Sequence, residues 1–236
     1  MFRFKQFTIH QDRTAMKVCT DACVLGAYAD VAETSEIPVR ILDIGTGTGL
    51  LALMAAQRNP SASIDAVEVD EAAFGQAMEN VTNSPFSGQM RVWHGRVQDF
   101  VPPHRYDRIL TNPPFYTNHL RSPDAVVNRA LHTDELPFPE LIEAVGRLLK
   151  PDGQWWVLLP PYETDSLIRL AAAMGLTPCW QLHLRHNDRK PIFRTITGFS
   201  YDQRTTVSSI LTIYDSESNE YTPAFRAYLR DFYLIF

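Results

Sequence analysis

Two stretches carry residues whose types and spacing could do chemistry. In LDIGTGTGLL, Asp43, Gly45, Gly47 and Gly49 alternate at the end of an apolar run. Glycines at that spacing let the backbone turn tightly and let a ligand approach the main chain. The helical pattern that follows aims a positive helix N-terminus at the same place. Glu68 ends the next β-rich run, and an acid there can accept both ribose hydroxyls of an adenosine ligand. In RILTNPPFYT, apolar Ile109 and Leu110 give way to Asn112, Pro113, Pro114 and Phe115. Neither proline has a backbone donor, so the ladder stops there. A Pro-Pro turn after a strand is by itself compatible with a purely structural break.

The elements that must position these residues follow a strand–helix rhythm. The spacing predicts strands over 39–45, 63–70, 90–95, 106–112 and 154–160, and helices over 48–59, 71–84, 138–153 and 164–175. That alternation means βαβ units and a largely parallel sheet. The last third reads as three successive strand-like runs, 179–186, 193–202 and 207–215, forming an antiparallel edge, and then a short terminal helix. A single domain over 1–236 is expected, with an N-terminal segment 1–38, a core 39–200 and a C-terminal strand and helix 201–236. In parallel α/β sheets ligands bind beyond the carboxyl ends of the strands. The glycine turn and Asn112 therefore belong to one edge.

Two cofactors compete for the glycine turn. A dinucleotide site wants G-x-G-x-x-G, but here the third glycine comes two residues after the second and position 50 is Leu. The pattern instead resembles motif I of the S-adenosylmethionine-dependent methyltransferases, D-x-G-x-G-x-G. That resemblance implies a Rossmann-like class I methyltransferase fold, with a seven-stranded, mostly parallel sheet and an antiparallel edge. It implies cofactor contacts at Asp43, Gly45, Thr46, Gly47, Gly49, Glu68 and Val69. Asp99, in RVQDF, stands where this fold usually has an acid on the adenine amine, with Phe100 facing the ring; a loop-capping role for Asp99 is the plain alternative. Asn-Pro-Pro-Phe resembles motif IV of methyltransferases acting on planar nitrogens. By that resemblance the Asn112 carbonyl accepts one N–H of the acceptor and the Pro113 backbone carbonyl accepts the other. Pro113 and Pro114 hold the carbonyls rigid, and Phe115 stacks on a base taken out of its stack. Asn112 also borders the cofactor, and catalysis is by positioning.

The resemblance extends beyond the motifs. FTIHQDRTAMKVCTDACVLGAYA (7–29) and LTIYDSESNEYTPAFRAYLRDFYL (211–234) resemble the terminal segments of the bacterial tRNA1(Val) adenine-37 N6-methyltransferases. This implies transfer to the exocyclic amine of the adenine beside the anticodon, with the tRNA anticodon stem-loop as partner. Lys17, Thr20 and Asp21 fall in the family's MKVxTD segment, against the methionine end of the cofactor; Cys19 stands where the family often has Gly. Arg185, Arg189, Lys190 and Arg194 are candidate RNA contacts, as are Arg121 and Arg129 in the stretch 116–135 beside the motif, which is expected to act as a mobile lid. A solvated basic face is the plain reading of the same charges. A release-factor glutamine methyltransferase shares Asn-Pro-Pro but carries a sizeable helical domain ahead of its core. A guanine-N2 rRNA methyltransferase, and a cofactor-sensing module without catalysis, are the further alternatives.

The bulk composition narrows the classes. Net charge is −5, whereas proteins that grip long nucleic acid by its phosphates are usually basic, so RNA contact must come from local patches. Cys19, Cys23 and Cys179 are an odd, sparse set, expected as neutral thiols rather than a disulfide framework. No metal is implied. No apolar run of roughly 18 residues exists and the first residues lack an apolar leader core, so a cytoplasmic protein is expected, by default a monomer.

Overall fold

The computed structural model describes residues 1–32, 38–113 and 136–236. A two-stranded ribbon of β1 (Phe2–Arg3) and β2 (Thr8–Ile9) precedes helix α1 (Thr20–Tyr28). Then come β3 (Arg40–Ile44), α2 (Leu50–Arg58), β4 (Ser63–Glu68), α3 (Glu71–Thr82), β5 (Met90–His94) and β6 (Tyr106–Thr111). Helix α4 (Phe138–Leu148), β7 (Leu149–Leu159) and α5 (Pro161–Ala172) complete the alternating part. β8 (Thr177–Arg185), β9 (Ile192–Ser200), β10 (Val207–Thr212) and α6 (Pro223–Leu229) close the chain.

The large sheet runs β10-β8-β9-β7-β6-β3-β4-β5. β3 and β4 are buried from their second residue onward, as strands covered on both faces must be. One face packs a core that includes α1, α2 and the terminal aromatic residues; the other packs α4 and α5. α1 lies close on α2 because Gly26 has no side chain: a Cβ there would come 2.6 Å from the Met54 sulfur.

The structure adjusts the expected pattern at three places. The helix expected over 138–153 ends at Leu148, and residues 149–153 belong to β7. The residue before a proline is pushed out of the helical region, and Pro151 imposes that on Lys150. The sheet holds all eight strand runs read from the sequence rather than the seven strands that the resemblance implied, and the edge is not antiparallel throughout. β9 pairs antiparallel with both β7 and β8, but β10 docks on the outer side of β8 and runs parallel to it. Finally, α1 is a helix with no polar face: Asp21 to Gly26 are all buried, so it leaves no helical period to read.

Candidate functional site: the carboxyl edge of the sheet

β3 delivers the glycine turn. Gly45, Gly47 and Gly49 all have positive φ, at 69°, 58° and 84°, a conformation that L side chains adopt only with strain. No atom stands within 4 Å of where a Cβ would lie at Gly45 or Gly47, so the main chain there is open to a ligand. The turn is tied to the end of β4: the Gly45 and Thr46 N–H groups donate to the Val67 carbonyl at 2.9 and 3.1 Å. One Glu68 oxygen accepts from Gly47 N–H at 2.8 Å. The other accepts from Val69 and Asp70 N–H at 2.9 and 3.0 Å. A carboxylate offers about four lone-pair sites, so Glu68 retains acceptor capacity beside the turn.

Asp43 is fully buried. Its Oδ2 accepts from the Thr46 hydroxyl at 2.6 Å and from Ala52 N–H at 3.2 Å. Its Oδ1 has no partner among the described residues. Burial pushes the carboxyl from 3.8 up to about 7, opposed by those two hydrogen bonds and reinforced by Glu68. The folded value lies above the unfolded one, so the native state holds the extra proton between about pH 4 and 7. Stability from this group therefore falls as pH rises through that window and levels off above it. Asp43→Asn, which cannot ionise, is expected to remove that loss: the melting temperature of the variant relative to wild type should be higher at pH 8 than at pH 5.

β6 brings Asn112 to the same edge, since β3 and β6 are paired neighbours with Ile44 opposite Thr111. Asn112 Nδ2 donates to the Met16 thioether at 3.7 Å. Sulfur there only accepts, so this contact turns the amide nitrogen toward the N-terminal segment. Oδ1 is left buried, without a partner among the described residues. Pro113 is buried beside it. Pro114, Phe115, Arg121, Arg129 and the expected lid over 116–135 lie outside the described residues.

The N-terminal segment is strapped across α3. Asn80 receives His10 N–H and donates to the carbonyls of His10 and Thr48, each at 2.8 Å. Lys17 Nζ is held by the carbonyls of Thr14 (2.9 Å) and Gln11, so its ammonium ties its own segment together. Thr20 opens α1. Asp21 pairs with Arg194 at 3.0 Å, which joins the candidate cofactor contact to a candidate RNA contact and pins Arg194 near α1. The Cys19 and Cys23 thiols are each pushed up to about 12 by burial, helped by Asp21, and are neutral at physiological pH.

Asp99 and Phe100 line a cavity of about 570 Å³ with Val67, Trp93, His94 and Gly95, while Val69 is exposed at the end of β4. That volume falls within the usual range of small-ligand sites. Trp93 and His94 were not among the sequence candidates, although WHG directly precedes RVQDF. The indole N–H donates to Asp65 at 2.9 Å, and Asp65 also takes the Tyr106 hydroxyl at 2.7 Å. His94 stacks on Phe74 at 5.0 Å. Arg185, Arg189 and Lys190 sit on the β8–β9 hairpin at the same carboxyl edge.

Among known proteins, the methyltransferase small domain family matches residues 31–165. A tRNA1(Val) (adenine(37)-N6)-methyltransferase from Dyadobacter fermentans is 49% identical over 100% of this chain and 98% of its own. The chain belongs to that methyltransferase family. A relative of the same name from Pedobacter heparinus is 41% identical, again over 100% of this chain and 98% of its own. A solved structure from Agrobacterium tumefaciens, described as a predicted O-methyltransferase, superposes with TM-score 0.66 at 16% identity, covering 89% of this chain and 96% of the other. That likeness supports the methyltransferase fold.

S-adenosyl-L-methionine is the cofactor of this family, and the edge suits it. The turn carries open glycines for close approach, and Glu68 has acceptor capacity for ribose hydroxyls. The Glu68 carboxylate suits a cationic sulfonium better than a phosphate, and the cavity lined by Asp99 and Phe100 reaches Val67, whose carbonyl holds the turn. No group of three or more metal-ligating side chains gathers among the described residues. No helix among them is long and apolar enough to cross a membrane.

Proposed function

We propose that this chain methylates the exocyclic N6 amine of adenine 37 in the anticodon loop of tRNA1(Val), working as a monomer in the cytoplasm. The observation that carries the reading is the Asn112 Oδ1, which has no partner among the described residues and follows the strand paired with the one that delivers the glycine turn, in a chain whose relatives bear that activity in their names.

The chemistry follows from the acceptor. An aromatic amine is a poor nucleophile because its lone pair is delocalised into the ring. Asn112 Oδ1 accepts one N–H and the Pro113 carbonyl accepts the other, so the nitrogen is held as it becomes tetrahedral. Bound S-adenosyl-L-methionine supplies an electrophilic methyl group. Asp43 and the glycine turn fix the edge on which the two meet, Glu68 and Val69 hold the ribose end, and Asp99 and Phe100 take the adenine of the cofactor. Lys17, Thr20 and Asp21 lie toward its methionine end. Pro114 and Phe115 complete the acceptor pocket, and Arg121, Arg129, Arg185, Arg189, Lys190 and Arg194 are the candidate RNA contacts. This is rate acceleration by positioning.

The class of acceptor is tested by competition. Methyl-labelled cofactor is supplied with unmodified tRNA, ribosomal RNA and a release factor together. Label is expected in the tRNA fraction as N6-methyladenosine. Label in a glutamine side chain, or as N2-methylguanosine, would overturn the reading.

A further inference from the structure

The β8–β9 hairpin projects past the carboxyl edge of the sheet, and two aromatic rings near its tip lie flat on one another. The rings of His186 and Phe193 are 4.2 Å apart and only 6° from parallel. His186 is exposed and Phe193 half-buried. Their place in the sheet can be counted. Thr111 aligns with Val157, and Val157 with Thr197. Asn112 thus stands one residue above that row and Phe193 four above it, two strands away. With ~4.8 Å between strands and ~3.3 Å per residue, the rings lie on the order of 14 Å from Asn112.

The charges around the hairpin do not make a phosphate-binding patch of the usual strength. Arg194 is paired with Asp21 and Arg185 Nε is held by the Thr212 hydroxyl at 2.8 Å. Arg189 and Lys190 at the tip follow Asp188 in sequence, and the Arg189 charge helps hold down the carboxyl of Asp215 on the adjoining turn, which bonds the hairpin through Tyr214 N–H to the His186 carbonyl at 2.7 Å. With a chain charge of −5, counterion release alone supplies little affinity for RNA. Aromatic stacking does not need net charge, because every base offers a π-face.

We propose that the His186–Phe193 pair is a stacking platform for an unpaired base flanking the one presented to Asn112. The inference rests on the RNA reading above and names where the rest of the loop docks. It assigns the partner by chemistry: single-stranded RNA, held more by stacking than by phosphate contacts.

The test uses the full chain and a fluorescently labelled anticodon stem-loop RNA. Dissociation constants are measured by anisotropy, together with KM for tRNA, cofactor affinity and melting temperature, for wild type, His186→Ala, Phe193→Leu and Phe193→Tyr. Phe193 is half-buried against the core with His186 flat on it and the Arg194 guanidinium 5.6 Å from its ring centroid, so the base stacks on the exposed face of His186, and Phe193→Leu, which removes the flat support beneath that ring, is expected to weaken RNA binding. That loss should sit in KM for RNA while cofactor affinity and melting temperature hold, and Phe193→Tyr should restore it. His186→Ala, which removes the ring that the base contacts, should weaken binding in the same direction by roughly 10-fold or more, and its exposed site keeps the test readable if Phe193→Leu is unstable. Unchanged RNA affinity in both His186→Ala and Phe193→Leu overturns the platform. Wild type that binds the stem-loop without methylating it contradicts the reaction but leaves the platform measurable. Wild type that fails to bind the stem-loop overturns both.

Discussion

Asn112→Ala is expected to lower kcat for methyl transfer on the order of 10²–10³-fold while cofactor affinity stays close to wild type. The magnitude is that of removing one preorganised polar partner of a developing charge. As methyl transfer begins, the acceptor nitrogen gains positive character and its N–H groups become stronger donors. The Asn112 oxygen is then worth more than in the ground state, so its removal reads mainly in kcat. The buried Oδ1, without a partner among the described residues, is already desolvated, with Nδ2 committed to Met16, and little reorganisation is needed when the amine arrives. Single-turnover kinetics with saturating tRNA, beside calorimetric titration of the cofactor, separate the two quantities. A variant that loses cofactor binding and keeps its turnover at saturation would place Asn112 in the cofactor site alone.

Glu68→Ala is expected to act on the opposite quantity. Three backbone N–H groups, of Gly47, Val69 and Asp70, lose their acceptor, and the ribose hydroxyls lose theirs. Hydrogen bonds to a charged group contribute roughly 1.5–3 kcal/mol each, so loss of one ribose contact weakens cofactor binding about 10- to 150-fold. Loosening the glycine turn adds to that. The unsatisfied N–H groups also lower stability, by about 1–3 kcal/mol for one that stays buried. Glu68→Gln keeps an acceptor oxygen and should lie between. Titration calorimetry and thermal melts on the three proteins check both effects; a Glu68→Ala protein with wild-type cofactor affinity contradicts the assignment.

The positions that the sequence marks as candidates are those whose pattern is local. Asp43, the three glycines and Glu68 announce themselves by spacing, and the structure brings them together because β3 and β4 are adjacent parallel strands. Asn112 reaches the same edge because β6 flanks β3 on the other side. What stayed hidden depends on long-range packing. α1 has no polar face to mark its period. The β7 boundary turns on one proline. β10 keeps a strand pattern whichever side of β8 it takes, and pairing partner is not written in a strand's own residues. The Asp21–Arg194 pair and the Met16–Asn112 contact join segments distant in the chain, so no local pattern could reveal them. Trp93 reads as an ordinary strand aromatic until Asp65, on the neighbouring strand, is seen to accept its N–H.

The most direct test of the central claim is methyl transfer to unmodified tRNA1(Val) with S-adenosyl-L-methionine, read by nucleoside mass spectrometry, beside a transcript in which adenine 37 is guanine. The account predicts N6-methyladenosine in the first transcript and none in the second. N6-methyladenosine in both, or none in either from a protein that binds the cofactor, would contradict it.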